Sequence, residues 1–158
     1  MEVSLCKADV SEAALIHEMQ VRAFMPLLEK YQDFETSPAN ESVERVSARI
    51  SQPLSDYYII KYGEAAVGGV RVVQKENHLH WVSPVFILPE YQGHGIAQSV
   101  FAILEQIYPD ARLWGLATIL QEERNCYLYE KLGYVRTGEP KAINDKLTIV
   151  VYEKHLQG

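Results

Sequence analysis

The sequence predicts a mixed α/β fold of the α+β type, formed as one domain over residues 1–158. Three observations predict it. Strand-like and helix-like segments follow one another in the order strand, two helices, three strands, helix, strand, helix, two strands. Two of the strands are separated by only Gly63-Glu64, a hairpin connection that makes them an antiparallel pair. No internal repeat, low-complexity run or linker interrupts the chain.

Val3 and Leu5 alternate with Ser4, so Glu2 to Lys7 reads as a short opening strand. Asp9 and Glu12 have capping-box spacing, and Leu15/Ile16, Met19, Ala23 and Leu27 then form a helical stripe. Pro26 lies inside that stripe and is expected to kink or end the helix near Met25. Tyr31 to Asn40 reads as a loop. A second helix from about Asn40 buries Val43, Val46 and Ile50, carries Glu41–Arg45 as an i,i+4 pair and stops at Ser51-Gln52-Pro53. Asp56 to Tyr62 and Ala65 to Val73 are the hairpin strands, and Gly68-Gly69 in the second suggests a bulge or a close backbone approach. The long strand Leu79 to Leu88 follows. Pro89 cannot donate to a ladder and ends it. Ile96, Val100, Ile103/Leu104 and Ile107 have helical period, Arg112 to Ile119 is a strand, and Glu122 to Leu132 is a helix with Gly133 past its end. Tyr134 to Thr137 and Lys146 to Glu153 are the last strands, joined by a loop from Gly138 to Asp145.

Composition narrows the function. At 47% hydrophobic and 23% charged residues, the chain is that of a soluble globular protein. It contains no apolar run near the ~20 residues that span a bilayer and no signal-peptide pattern, so no membrane partner and a cytoplasmic location are the expectations. Cys6 and Cys126 show neither zinc spacing nor a disulfide framework, and no metal is expected. A net charge of −6 excludes a nucleic-acid partner of the usual kind, because a polyanion needs a basic footprint.

The informative stretch is Val85 to Ala97, where a strand meets Pro89, a glycine-bearing turn and then a helix. Free backbone N–H groups and the positive end of the helix dipole coincide there, which is how main chain binds phosphate. A Walker loop is excluded, since no Lys-Ser or Lys-Thr follows. The dinucleotide pattern G-x-G-x-x-G fails at Gln98. The pattern Q/R-x-x-G-x-G/A fits Gln92, Gly95 and Ala97. A second run, Asn125-Cys126-Tyr127-Leu128-Tyr129-Glu130-Lys131-Leu132-Gly133-Tyr134, puts Asn125 and Tyr129 at i and i+4 on one helix face.

Both runs, with the lead-in Pro89-Glu90-Tyr91-Gln92-Gly93, resemble motifs of the GNAT superfamily, the acyl-CoA-dependent N-acetyltransferases. The element order is similar to that layout from end to end. The resemblance implies a three-layer fold whose central, mostly antiparallel sheet is splayed between its fourth and fifth strands, with helices on both faces. It implies acetyl-CoA as co-substrate. Phe86, Ile87 and Leu88 would pair with the pantetheine arm, and Gln92, Gly93, His94, Gly95, Ile96 and Ala97 would cradle the pyrophosphate, with Asn125 assisting.

Acetyl transfer from a thioester to an amine needs a polarised acyl oxygen, a deprotonated amine and a proton for the leaving thiolate. By the resemblance Tyr129 is the general acid. Many relatives carry a Glu on the fourth strand where this chain has Trp81-Val82-Ser83-Pro84; His80 and His78 are the nearest titratable side chains on that strand, and His80 is the base candidate. The resemblance implies that the acceptor lies against the first two helices and their connecting loop, where Phe24, Tyr31, Asp33 and Glu35 offer an aromatic wall and carboxylates for an ammonium group. The expected activity is transfer to a primary amine of a small molecule. A non-catalytic acyl-CoA sensor, or the same fold acting on a protein or peptide amine, remain the alternatives. A homodimer is an open possibility, since C-terminal edge strands can pair.

Overall fold

The computed structural model describes residues 1–156, so the last two residues of the expected domain lie outside the described part. Its elements are β1 (Val3–Lys7), α1 (Ala13–Tyr31), α2 (Val43–Ser51), β2 (Ser55–Tyr62), β3 (Ala65–Gln74), β4 (Leu79–Ile87), α3 (Ile96–Ile107), β5 (Leu113–Ile119), α4 (Glu123–Lys131), β6 (Val135–Ala142) and β7 (Thr148–His155). The strands form one seven-stranded sheet in the order β1-β2-β3-β4-β5-β7-β6. Every neighbouring pair is antiparallel except β4 and β5, which run parallel.

Alternation along the strands sends apolar side chains to both faces, and helices cover each. Ile60, Val70, Val72 and Val82 pack with Val100, Phe101 and Leu104 of α3 and with Tyr129 of α4. Ile59 and Tyr57 pack on the other face with Ile16, Met19 and Ala23 of α1 and Val46 of α2. The capping box at Asp9 and Glu12 is formed as expected and opens the turn that leads into α1. Between α1 and α2, Glu41 accepts from both terminal nitrogens of Arg49, at 2.6 and 2.8 Å, and from Gln20 at 2.8 Å. Arg45, the expected i,i+4 partner, stands farther off at 3.8 Å.

Two features of β4 shape everything near it. Val70 pairs with Val85 and Val72 with Val82, so a bulge puts Ser83 and Pro84 opposite Arg71. The Arg71 Nε–H donates to the Ser83 carbonyl at 2.6 Å and satisfies an oxygen that the bulge takes out of the ladder. The extra residue reverses the facing of the strand. Val82 belongs to the α3 cluster, whereas Phe86, an even number of residues on, belongs to the α1 cluster. The second feature is the partner strand. β4 pairs with β5 only through Leu79–Trp81 against Leu113–Gly115, while β5 pairs with β7 along its whole length. From Val82 to Ile87 the β4 edge has no ladder partner on that side, and the sheet is splayed there.

Gly68 and Gly69 mark the close approach expected of them: an added Cβ on Gly68 would stand 2.1 Å from the Phe86 carbonyl oxygen, and one on Gly69 2.7 Å from the Phe86 ring.

Three expectations need correction. Pro26 does not end α1, which continues to Tyr31 and stops at Gln32 in a left-handed conformation, its N–H on the Leu28 carbonyl at 2.7 Å. Leu28 and Tyr31 are buried beyond the proline, and that tertiary contact outweighs the missing backbone donor. The expected loop from Gly138 is strand as far as Ala142. As the outermost strand, with an irregular register between Thr137 and Lys141, β6 tolerates both Gly138 and Pro140. Ile107, the last residue of the expected apolar stripe of α3, is exposed, and Phe101, which that stripe left out, is in the core.

A test of the β3–β4 contact follows directly. Gly68→Ala should lower the urea unfolding midpoint by an amount equivalent to about 3 kcal/mol, because the carbonyl it would strike is backbone and cannot rotate away.

Candidate active site

Where β4 and β5 part, two cavities open and meet. The larger, about 560 Å³, runs from Gly93, Gly95, Ile96 and Ala97 along Phe86 and Ile87 to Asn125 and Tyr129. The smaller, about 210 Å³, lies beyond them, between the end of α1, the loop carrying Asp33 to Pro38, β4, β5 and β7. Phe24, Leu27, Val85, Asn125 and Tyr129 border both and form the junction.

One end of the larger cavity is made of main chain. Pro89–Tyr91 is a single 3-10 turn, Gly93 and Gly95 have φ of 82° and 75°, and Gly95 is the N-cap of α3. The first N–H to bond into the helix is that of Ser99, onto the Gly95 carbonyl at 3.2 Å. The six N–H groups from Gly93 to Gln98 have no hydrogen-bond partner among the described residues. An added Cβ on Gly95 would meet nothing within 4 Å, so its open side faces the cavity space. The Gln92 amide donates to the Ile87 carbonyl at 3.0 Å and ties the turn to β4.

Cations also reach this cavity. Arg124 lines it and would lie 3.7 Å from a Cβ on Gly93; it forms no ion pair among the described residues. Lys30 lines it too, paired with Glu122 at 3.0 Å, and the Tyr31 hydroxyl donates to the same carboxylate at 2.5 Å. Burial pushes the Glu122 carboxyl up, but the Tyr31 and Lys30 hydrogen bonds outweigh it and hold the group below its ordinary value.

At the junction Tyr129 is buried, with the Phe101 ring edge-on at 5.6 Å. Burial, with a smaller contribution from Cys126, pushes its phenol well above the ordinary tyrosine range, so it keeps its proton. Its hydroxyl bonds to no other described residue.

The structure therefore brings together Phe86, Ile87, Gln92, Gly93, Gly95, Ile96, Ala97, Asn125 and Tyr129 around the larger cavity, with Phe24 at the junction and Asp33 in the smaller cavity. It leaves five candidates outside both cavities. His80 is buried between the rings of Tyr108 and Trp114, each centred 5.2 Å away. Leu88 lies in the α1 core with its N–H on the Val67 carbonyl at 2.8 Å. His94 is exposed near Tyr62, Tyr31 is occupied with Glu122, and Glu35 is exposed on its loop. Sequence reasoning missed Val85, Lys30, Glu122 and Arg124. One signal was available for Arg124: a cation in the first turn of a helix opposes the dipole, and such a placement asks for another reason.

The family model for the acetyltransferase (GNAT) family matches residues 18–134, most of the chain and both motif runs. The chain belongs to the GNAT acetyltransferase family. Its fold is shared with solved members at low identity. A chimera of the spermidine N-acetyltransferase SpeG from Vibrio cholerae and hSSAT has a TM-score of 0.76 at 15% identity, covering 98% of this chain and 96% of that one. The microcin self-immunity acetyltransferase MccE, solved with acetyl-CoA and AMP, gives 0.76 at 16%, covering 98% and 93%. An acetyltransferase from Salmonella typhimurium that modifies the N-terminal serine of a 50S ribosomal subunit protein gives 0.77 at 17%, covering 98% and 95%. No curated protein sequence matches the chain. Among the described residues this GNAT chain has no helix long and apolar enough to cross a membrane and no cluster of metal-ligating side chains.

The Glu122 cluster gives a pH test. A depressed folded pKa contributes stability that is full above the unfolded value of 4.5 and is lost as pH falls through the folded value. Glu122→Gln should cost about 1 kcal/mol at neutral pH, and its difference from wild type should shrink as urea titrations move below that unfolded value.

Proposed function

We propose that this GNAT protein transfers the acetyl group of acetyl-CoA to a primary amine of a small molecule by direct attack. One observation carries the reading: two cavities, one walled by unpartnered main-chain N–H groups, meet at a buried, protonated tyrosine where the sheet is splayed.

The N–H groups of Gly93 to Gln98 hold the pyrophosphate, and Arg124, without an ion-pair partner among the described residues, adds positive charge beside them. The unpaired edge of β4 at Val85 to Ile87 lies along the same cavity, where its backbone groups, apart from the Ile87 carbonyl that Gln92 holds, bond the amides of the pantetheine arm and polarise the thioester oxygen. The thioester then sits at the junction. A neutral amine from the smaller cavity attacks the acyl carbon, forming the C–N bond. As the C–S bond breaks, the thiolate takes the Tyr129 proton, and the proton shed by the nitrogen restores the phenol. The relay returns tyrosine to its starting state, which a raised pKa favours. His80 has no place in it, since its ring lies in another part of the core.

Among the structural neighbours, one is described as a spermidine N-acetyltransferase and another modifies a protein N-terminus. The small volume of the acceptor cavity supports a small molecule over a peptide.

Two variants test the halves separately. Tyr129→Phe should lower kcat by about a hundredfold while leaving the Kd for acetyl-CoA unchanged by calorimetry; an unchanged rate would assign the acid elsewhere. Gly95→Glu should raise that Kd by more than about a hundredfold, placing a like charge in the anion cradle. Circular dichroism checks that its fold is retained, and normal affinity in a folded variant would remove the cradle from the reading.

A further inference from the structure

The acceptor cavity has a chemical character of its own. Asp33 is 9% exposed. Its carboxylate accepts from the Thr36 N–H at 3.1 Å and from the Thr36 hydroxyl, and no cation of the described protein reaches it. A buried carboxylate with neutral partners alone is uncomfortable, because desolvating a charge costs several kcal/mol unless an opposite charge offsets it. Asp33 is also the one charged residue among those lining the cavity, which holds no Lys, Arg, His or Glu. Most of the remaining wall is apolar, with Phe24, Leu28, Val82, Pro84, Leu147 and Ile149 prominent.

From these features we infer that the acceptor is a compact monoamine: a single ammonium group drawn to Asp33, carried on an apolar alkyl or arylalkyl body. The inference rests on the transfer reading above and names its substrate class. The ammonium supplies the charge that Asp33 lacks, and the apolar body covers the hydrocarbon wall. Once its proton is lost to solvent, the same nitrogen is the nucleophile at the junction. Competing classes fit worse for stated reasons. A polyamine would bury further cations with no carboxylate to meet them, and a free amino acid would bury its carboxylate in a cavity without a cation. An aminoglycoside exceeds the volume and leaves hydroxyls unbonded against hydrocarbon.

The experiment measures acetyl-CoA binding by calorimetry and thiol release with phenethylamine, isoamylamine, putrescine, spermidine, leucine, an aminoglycoside and a seryl peptide. One of the two monoamines should have the highest kcat/KM, by about tenfold or more over every other class. Asp33→Asn should raise its KM about tenfold with acetyl-CoA affinity intact. Ala117→Phe, which fills the cavity from an exposed wall position and spares the core, should do the same if Asp33→Asn does not fold. A polyamine, diamine, amino acid, aminoglycoside or peptide as best substrate overturns the inference and leaves the transfer reading standing. A KM for the best monoamine that neither substitution moves also overturns it. Failure to bind acetyl-CoA, or binding without transfer to any amine, overturns the transfer reading itself and the inference with it.

Discussion

The parting of β4 from β5 is the constraint on which the site depends. A parallel pair closed along its full length would fill the space that both cavities occupy, whereas here the ladder stops after Leu79–Trp81. The bulge at Ser83-Pro84 accompanies that parting. It reverses the facing of β4, gives Phe86 to the α1 layer and keeps Val82 in the α3 layer, and it is held by the Arg71 guanidinium on the freed carbonyl. β3 cannot drift away in compensation, because Gly68 and Gly69 lock it against Phe86 at distances only glycine permits. One strand thus stays tightly zipped on one side and free on the other.

The free side has a use for what elsewhere would be a defect. Unpaired strand edges and helix N-termini are normally covered or capped, since their N–H groups are costly to leave unsatisfied. Here the open edge of β4 and the uncapped start of α3 border the same cavity, with Gly93 and Gly95 turning the chain between them. The side chains that might have blocked this arrangement are turned to other tasks. Gln92 braces the turn on the Ile87 carbonyl, and Glu90 reaches away to Arg22 at 2.5 Å.

The elements and the main-chain part of the site were legible because they are written in local signals. Proline after a strand, glycines at positive φ and helical period from Ile96 onward all act within a dozen residues. What was not legible depends on partners distant in sequence. The continuation of α1 past Pro26 rests on Leu28 and Tyr31 finding burial, and Tyr31 meets Glu122 from the far side of the cavity. The course of β6 through Gly138 and Pro140 follows from its place at the sheet edge, which no window of sequence contains. The place of His80 in the core is set by Tyr108 and Trp114, which lie well beyond β4 in the chain. Arg124 reaches Gly93 only after the chain has folded back through β5.

The placement of Arg124 has a kinetic side. In the proposed transfer reading, a body of net charge −6 repels a nucleotide-bearing thioester at a distance, while the guanidinium and six amide dipoles attract it at contact. Added salt therefore acts on the two phases of the encounter in opposite senses: it eases the approach and loosens the grip. On that reading the carrier meets a gentle uphill slope outside a steep-walled well, which disfavours loose, unproductive association with the outer surface.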